Sequence, residues 1–180
     1  MLIKNYQINY ICEVNYPSTS AYGLHVIKMC DSLSEGNTKI NLVAPNISCN
    51  FSKLKKIYNL TNKFKIISIF EKKIKINLIS RIFFSIKILN IFKSDKNSIF
   101  ISRSMIFSFT AAILKKKNIL ELHHELAGFT KFFYQFICFF KFDKYLQYIF
   151  IHKNLIKNFY STKNTRLCLD DAVDLNDYFI

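Results

Sequence analysis

YQINYICEVNYPSTSAYGLHVIK, residues Tyr6–Lys28, predicts a β-strand, a polar loop and an α-helix in direct succession. Residues 6–12 alternate and are rich in strand-forming side chains, whereas residues from Tyr22 onward have helical spacing. Between them, residues 17–20 (Pro-Ser-Thr-Ser) form a hydroxyl-rich turn. This order of elements is typical of the first unit of an α/β sheet.

The loop also has the composition of an anion site. Backbone N–H groups at the start of the helix, the positive helix end and the serine hydroxyls would hold a diphosphate or a carboxylate. The residues that would surround it are Ser18, Ser20, Ala21, Tyr22, Gly23 and His25. Ser and Thr are also common N-cap residues, so a capped helix that binds nothing is the alternative, and this stretch alone leaves both interpretations open.

Length and cysteine usage indicate one ordinary cytoplasmic domain. A chain of 180 residues buries enough surface to fold without staples. Its five cysteines are scattered and lack a C-x-x-C pair, which predicts reduced thiols rather than disulfides or a zinc site. The first apolar run is short and broken by polar residues, so it does not resemble a secretory signal.

The net charge of +14, with a pI of about 9.6, is compatible with nucleic acid, an anionic membrane or phosphorylated ligands. Lysine is accompanied by Asn, Ile and Phe throughout the chain, as a nucleotide bias in the genome would produce. Basic tails are absent from the sequence, and the aromatic residues lie in apolar runs. Nucleic acid is therefore an unlikely partner on sequence grounds.

Strand and helix patterns alternate along the whole chain. Strands are predicted at 6–12, 38–44, 64–70, 98–102, 118–122, 145–151 and 165–170. The pattern predicts an α/β, Rossmann-like parallel sheet of about seven strands with helices on both faces. Strand 64–70 is nearly all apolar, so we expect it to be buried on both faces. We expect 76–92 to be a buried helix, because Arg81 and Lys87 interrupt the run that a membrane span requires.

In open sheets of this kind, ligands bind outside the carboxyl ends of the strands. Candidate residues at those ends are Ser18 to Gly23, Arg103 and Ser104, His123 to Glu125, and Asp170 to Asp174. Adjacent strand residues point to opposite faces, so His123 and His124 are not expected to share a metal, and no metal site is predicted. Glu121 is a candidate acid or base, although such carboxylates more often pair with lysine or cap a helix, and Glu125 is a candidate helix-start residue.

The segment 128–142, GFTKFFYQFICFFKF, is apolar nearly all round and is flanked by lysines. A helix that only covers a sheet does not need this composition. Two interpretations remain open. The segment is either an interfacial helix at an anionic membrane or a core helix that a partner domain also covers.

Six motifs in order carry a family resemblance. They are PSTSAYGLHVIKMCDSLSEG (17–36), NLVAP (41–45), IFISRS (99–104), LELHHEL (120–126), FIHKNLIKNFY (150–160) and DAVDLNDYF (171–179). Together they resemble the N-terminal domain of family 4 glycosyltransferases, the retaining enzymes with the GT-B fold. Residues 1–169 would form that Rossmann-like domain. The interdomain linker would begin at 170, with Val173, Asp174 and Phe179 near the usual linker spacing.

The resemblance implies the acceptor-side domain of an enzyme for surface glycan synthesis, with a nucleotide sugar as donor and a glycan or lipid-linked acceptor. Ser20 to Gly23 would cradle the donor diphosphate, Arg103 would supply positive charge, and His123 or His124 would lie near the transferred sugar. Most donor contacts in the family belong to a second domain, so the resemblance implies either a truncated gene product or one subunit of a split enzyme completed in trans. The chain alone is not expected to transfer sugar. The resemblance implies no metal, and it leaves peripheral attachment at the inner membrane face open. The first loop departs from the family pattern, because it has one Gly where many members have two.

Overall fold

The computed structural model describes residues 6–35, 38–95, 97–156 and 166–168. The strands are Gln7–Ile11 (β1), Lys39–Ala44 (β2), Lys65–Ser68 (β3), Ser98–Ser102 (β4), Asn118–Leu122 (β5), Leu146–Phe150 (β6) and Arg166–Cys168 (β7). The helices are Ala21–Leu33 (α1), Phe51–Tyr58 (α2), Leu78–Ile91 (α3), Met105–Ile113 (α4), Gly128–Phe139 (α5) and Lys153–Ile156 (α6). A short 3-10 turn, Phe142–Tyr145, precedes β6.

All seven strands are parallel and form one sheet in the order β3-β2-β1-β4-β5-β6-β7. The predicted Rossmann-like α/β fold is therefore confirmed. In the register of the sheet, Tyr10 of β1 lies beside Leu42 of β2 and Ile101 of β4. The carboxyl ends of β1, β4 and β5 consequently lie next to one another.

Polar side chains set where four of the helices begin. Ser20, Asn50, Asn77 and Ser104 each accept a hydrogen bond from a backbone N–H three residues later. These bonds satisfy N–H groups that the helix itself cannot pair, which fixes the first turn of each helix. Two of the caps, Ser20 and Ser104, stand at the carboxyl edge of the sheet, where they fix the loops after β1 and β4.

The helices form two layers because successive strand side chains point to opposite faces. Tyr10 packs into a cluster with α1 and α2, whereas its neighbour Ile11 packs into a cluster with α3 and α4. On that second face α4 lies between α3 and α5. The sheet is thus covered by α1 and α2 on one side and by α3, α4 and α5 on the other.

Two predictions about burial were wrong. The third strand, predicted at 64–70 and buried on both faces, is Lys65–Ser68 at the edge of the sheet, where its side chains are half-buried or exposed. Among the described strands β3 pairs only with β2, so no strand covers its other edge and the strand is partly exposed. The helix predicted at 76–92 does form as α3, but only one side of it is buried. Among the described residues, no helix has both the length and the apolar character needed to cross a membrane.

Several predictions concern residues outside the described ranges. The last four residues of the motif 150–160 lie there, as does the segment 170–180 with Asp174. They stay predictions.

Candidate functional site

A cleft of about 290 Å³ opens at the carboxyl ends of β1, β4 and β5. It is lined by Glu13, Tyr22, Arg81, Arg103, Ser104, Met105, Ile106, Glu121, His123, His124 and Thr130. The location agrees with the expectation that ligands of open parallel sheets bind at this edge. Five of the predicted site residues therefore share one cleft: Tyr22, Arg103, Ser104, His123 and His124.

The other predicted residues that the structure describes do not line the cleft. His25, in α1, is one of them, although its Nε2 lies 3.0 Å from Glu121. Ser18, Ser20, Ala21 and Gly23 form the turn at the start of α1, outside the walls of the cleft. Glu125 is exposed in the loop between β5 and α5 and also does not line the cleft.

The serine turn is held together by its own hydrogen bonds. The Oγ atoms of Ser18 and Ser20 lie 2.9 Å apart, and the backbone N–H of Gly23 donates to Ser20 Oγ at 3.1 Å. A Cβ on residue 23 would come within 3.1 Å of Ser18, so glycine permits this close packing. Tyr58 of α2 also donates to the Ser18 carbonyl at 2.8 Å. The structure thus shows the Ser20 cap, which both interpretations of the turn require, and the choice between an anion site and a helix that binds nothing stays a prediction.

Glu121 is a buried carboxylate with partners on all sides. It lies in β5 and is only 5% exposed. Tyr10 donates a short hydrogen bond to Oε2, and His123 makes a short hydrogen bond to Oε1. Nε2 of His25 lies 3.0 Å from the same Oε1 atom, and Nε of Arg103 lies 3.9 Å from it. Strand geometry explains part of this, because Glu121 and His123 are two residues apart and share one face.

These contacts keep the Glu121 carboxylate charged. Burial raises the pKa of Glu121, but its contacts with His123, His25 and Tyr10 more than offset this, so the pKa lies well below its ordinary value. The rings of His25 and His123 meet edge to face, with centroids 5.4 Å apart. The carboxylate therefore orients the His123 ring through a hydrogen bond, whereas the His25 ring of α1 packs against His123 and makes no aligned hydrogen bond through Nε2 to any described residue.

The same atoms meet the minimum geometric requirement of a metal site. Nε2 of His25, Nε2 of His123 and an oxygen of Glu121 all lie within 4.8 Å of one another. However, the Arg103 guanidinium places a permanent positive charge beside the shared oxygen, which opposes the binding of a cation. The carboxylate accepts hydrogen bonds from Tyr10 and His123, so the cluster is a hydrogen-bonded network around Glu121.

A second buried carboxylate, Glu13, lies across the sheet. It follows β1 and faces the α3–α4 side, where Ser104 Oγ donates to its Oε1 at 2.5 Å and Arg81 Nε lies 3.4 Å from its Oε2. Burial raises the pKa of Glu13, and Ser104 and Arg81 offset this only in part.

Arg103 and Arg81 give the cleft its capacity to bind an anion. The Arg103 side chain stacks on the Tyr22 ring, with Cζ 5.0 Å from the ring centroid. Arg81 reaches the cleft from the first turn of α3. Two guanidinium groups, one on each side of the sheet edge, suit a phosphate or diphosphate, which arginine binds through paired hydrogen bonds.

Sequence reasoning missed Glu13 and Arg81 and gave Glu121 a minor role. Glu121 did carry a signal, because it is the charged residue in the apolar strand NILEL, with a histidine two positions later on the same face. Glu13 carried a weaker signal as the first charged residue after β1. Arg81 carried none, since its helix precedes β4 by a loop and its position depends on how α3 packs.

A scan against protein-family models finds no match, and searches of curated proteins and of solved structures find none either. Function is therefore inferred from the chemistry and geometry of the cleft.

Proposed function

We propose that the chain is the acceptor-side domain of a retaining, nucleotide-sugar-dependent glycosyltransferase of surface glycan synthesis. The observation that supports this most is the cleft at the carboxyl edge, where Arg81 and Arg103 stand beside a histidine that a buried carboxylate orients. The order of sequence motifs along the chain supports the same family.

In this proposal the arginines hold the donor diphosphate and stabilise the charge that develops as it departs. Arg103 is the better placed of the two, because stacking on Tyr22 and the nearby Glu121 fix its side chain. Preorganised cations of this kind act where charge develops in the transition state. The start of α1, capped by Ser20, adds a positive helix end to the same edge of the sheet.

His123 is the residue that we assign to the sugar, with Glu121 as its positioning residue. The carboxylate binds Nε2 of His123 and thereby fixes the plane of the ring. His124 also lines the cleft but is exposed and is not part of the Glu121 network. It remains the alternative contact to the sugar.

Sugar transfer requires a second domain that closes the cleft. An open cleft on one domain does not exclude water or surround a diphosphate, so the proposal includes a donor-side domain that closes over this edge. We therefore expect the chain alone to bind part of the donor weakly and to show no turnover.

The test is calorimetric titration of the full chain with UDP-glucose, GDP-mannose and inorganic pyrophosphate at low salt. We expect saturable binding of at least one of these probes with a Kd of about 1 mM, as suits half of a site. Replacing a charged hydrogen-bond donor costs roughly 1.5–3 kcal/mol, so Arg103→Gln should weaken binding about tenfold or more. The matched control is Lys53→Gln, which removes an exposed charge from α2.

Equal weakening by both variants would show that the probes respond to net charge and not to the cleft. Absence of saturable binding for all three probes would contradict the proposal.

The second candidate is a non-catalytic α/β binding module docked at a membrane. The specific observation in its favour is that the hydroxyls of Ser18 and Ser20 bond to each other and to the turn. A chain that stays monomeric and binds no nucleotide sugar would support this candidate over the first.

A further inference from the structure

Two helices on one side of the sheet present apolar side chains to solvent. They are α3 and α5, which flank α4. The exposed residues, which we call the α3–α5 face, are Leu78, Ile79, Ile82, Phe83, Ile86 and Ile91 with Phe129, Phe132, Phe136, Phe139 and Phe140. Phe139 is 80% exposed, Phe132 is 67% exposed and Ile79 is 66% exposed. The aromatic residues of α5 touch one another, and exposed apolar clusters of this kind mark interaction sites.

The opposite side of the sheet differs. The outer surface of α2 carries Lys53, Lys55 and Lys56, and its one large exposed apolar residue is Ile57. Both sides are therefore basic, but the α3–α5 face is also strongly apolar. The molecule thus contains its own control for an effect of charge alone.

The charge around the α3–α5 face is mostly positive, with Glu71, Glu125 and Asp143 as the nearby acidic residues. Lysines surround it at positions 72, 73, 75, 87, 131, 141 and 144. The sequence has no Asp or Glu between Lys72 and Phe92 or between Gly128 and Phe142. A second copy of the chain would bring these lysines against one another, so repulsion disfavours a homodimer through this face. A surface that is both apolar and negatively charged fits it better.

We propose that the α3–α5 face docks the protein on a bilayer that contains anionic lipids. The aromatic side chains would enter the boundary between headgroups and acyl chains, and the lysines would meet the lipid phosphates. The protein would lie on the membrane, in agreement with the finding that no described helix is able to cross it. The docking surface includes both helices, because α3 contributes six exposed apolar residues and α5 with its C-cap contributes five.

Docking in this orientation brings the cleft to the lipid surface. Arg81 of α3 and Thr130 of α5 both line the cleft, and both lie in the first turn or so of helices that form the α3–α5 face. The cleft therefore opens at one end of the docking face. A ligand anchored in the membrane by a lipid, with an anionic head, would reach Arg81 without leaving the bilayer surface. Membrane docking does not depend on the proposed glycosyltransferase function.

The test is co-sedimentation of the full chain with vesicles of neutral phosphatidylcholine and with vesicles that also contain phosphatidylglycerol. We expect binding to the anionic vesicles, weakened by salt because the lysine contribution is screened. Binding to both vesicle types with equal affinity, or to neither, would overturn the proposal.

Three double variants locate the surface. Burying one Phe is worth about 1.5–3 kcal/mol, so Phe132→Ser/Phe139→Ser should weaken vesicle binding about tenfold or more. Ile79→Ser/Phe83→Ser should weaken it by a similar factor. The control, Lys55→Ser/Ile57→Ser on α2, should leave affinity within about twofold, because that face does not touch lipid. All six positions are exposed, and circular dichroism checks that each variant folds.

Equal losses for the control and the two test variants would show that general basicity drives the binding. If the test variants leave vesicle binding intact but dissolve an oligomer in size-exclusion chromatography, the face is a protein interface and the proposal is wrong.

Discussion

Glu121 and Glu13 are both buried glutamates at the same edge of one sheet, but their pKa values are shifted in opposite directions. Their exposures are nearly equal, 5% and 6%. The pKa of Glu121 lies below its ordinary value, whereas the pKa of Glu13 lies above it. Burial is therefore not what distinguishes the two carboxylates.

Their partners distinguish them. Glu121 is in contact with Tyr10, His25, His123 and Arg103. Glu13 has the Ser104 hydroxyl and Arg81, whose side chain is 44% exposed and therefore screened by water. A buried carboxylate is thus kept charged by the number of buried donors around it. At one edge of the sheet, the pKa of the carboxyl group on the α1 side is therefore lowered, and the pKa of the one on the α4 side is raised.

The largest expected effect tests the charged member of the pair. Glu121→Gln should lower the free energy of unfolding at pH 7 by about 3 kcal/mol, because it leaves buried partners without the charge they surround. The folded-state pKa is depressed, so the carboxylate stabilises the fold above its unfolded pKa of about 4.3, and that stability is lost at lower pH. Urea unfolding at a series of pH values should therefore show that the loss of unfolding free energy in Glu121→Gln becomes smaller at acidic pH.

The matched control is Glu125→Gln, in an exposed glutamate four residues later. Its effect should stay within about 0.5 kcal/mol. Equal effects for the two variants would remove the distinction between Glu121 and an ordinary surface carboxylate.

Tyr10→Phe tests whether the hydrogen-bond donors around Glu121 make it different from a surface carboxylate. It removes the hydroxyl that bonds Oε2 of Glu121 and should cost about 2 kcal/mol at pH 7. A double-mutant cycle with Glu121→Gln should give a coupling energy of about 1 kcal/mol or more. The same cycle between Ser104→Ala and Glu13→Gln should give a smaller coupling energy. A larger coupling energy for Ser104 and Glu13 would contradict the conclusion that Glu121 has the stronger partners.

Glu13→Gln should have an effect of opposite sign. Because the folded-state pKa of Glu13 is raised, its acid form favours the fold, and stability is lost as pH rises through that pKa. Glutamine keeps an uncharged group and can still accept from Ser104. We expect a gain of about 1 kcal/mol at pH 8, the scale of a typical substitution, and no gain below about pH 4. If Glu13→Gln is less stable than the parent protein at pH 8, then Ser104 and Arg81 do offset the cost of burying the Glu13 carboxylate, and the prediction is wrong.

The sequence predicted the order of strands and helices because hydrophobic periodicity is a local property. It placed β4 and β5 at their observed bounds and located the edge where Arg103, Ser104 and His123 converge. It did not predict the Glu121 network, because a carboxylate in a strand gives no indication of which helix packs above it. His25 and Tyr10 lie far from Glu121 in the chain, and strand order brings them together.

The same limit explains the errors in burial. The apolar composition of α3 was plain from sequence, but composition does not say which side of a helix the sheet covers. The prediction for strand 64–70 was wrong for a related reason, since its apolar side chains do not reveal that β2 is its only neighbour among the described strands. Exposure is a property of the assembled layers.

The smallest expected effect on the free energy of unfolding is that of a substitution at Arg81. It tests directly whether the surroundings of Glu13 and Glu121 differ. Nε of Arg81 lies 3.4 Å from Glu13, but the side chain is 44% exposed, so Arg81→Gln should lower the free energy of unfolding by about 0.5 kcal/mol or less. That small loss should disappear at about 1 M salt, where the Debye length is only about 3 Å. Arg103→Gln, beside buried Glu121, is the matched variant and should keep more of its cost at high salt, because buried pairs are screened less. If both losses vanish together with salt, the two carboxylates share one solvent-screened environment, and the difference between them does not come from buried partners.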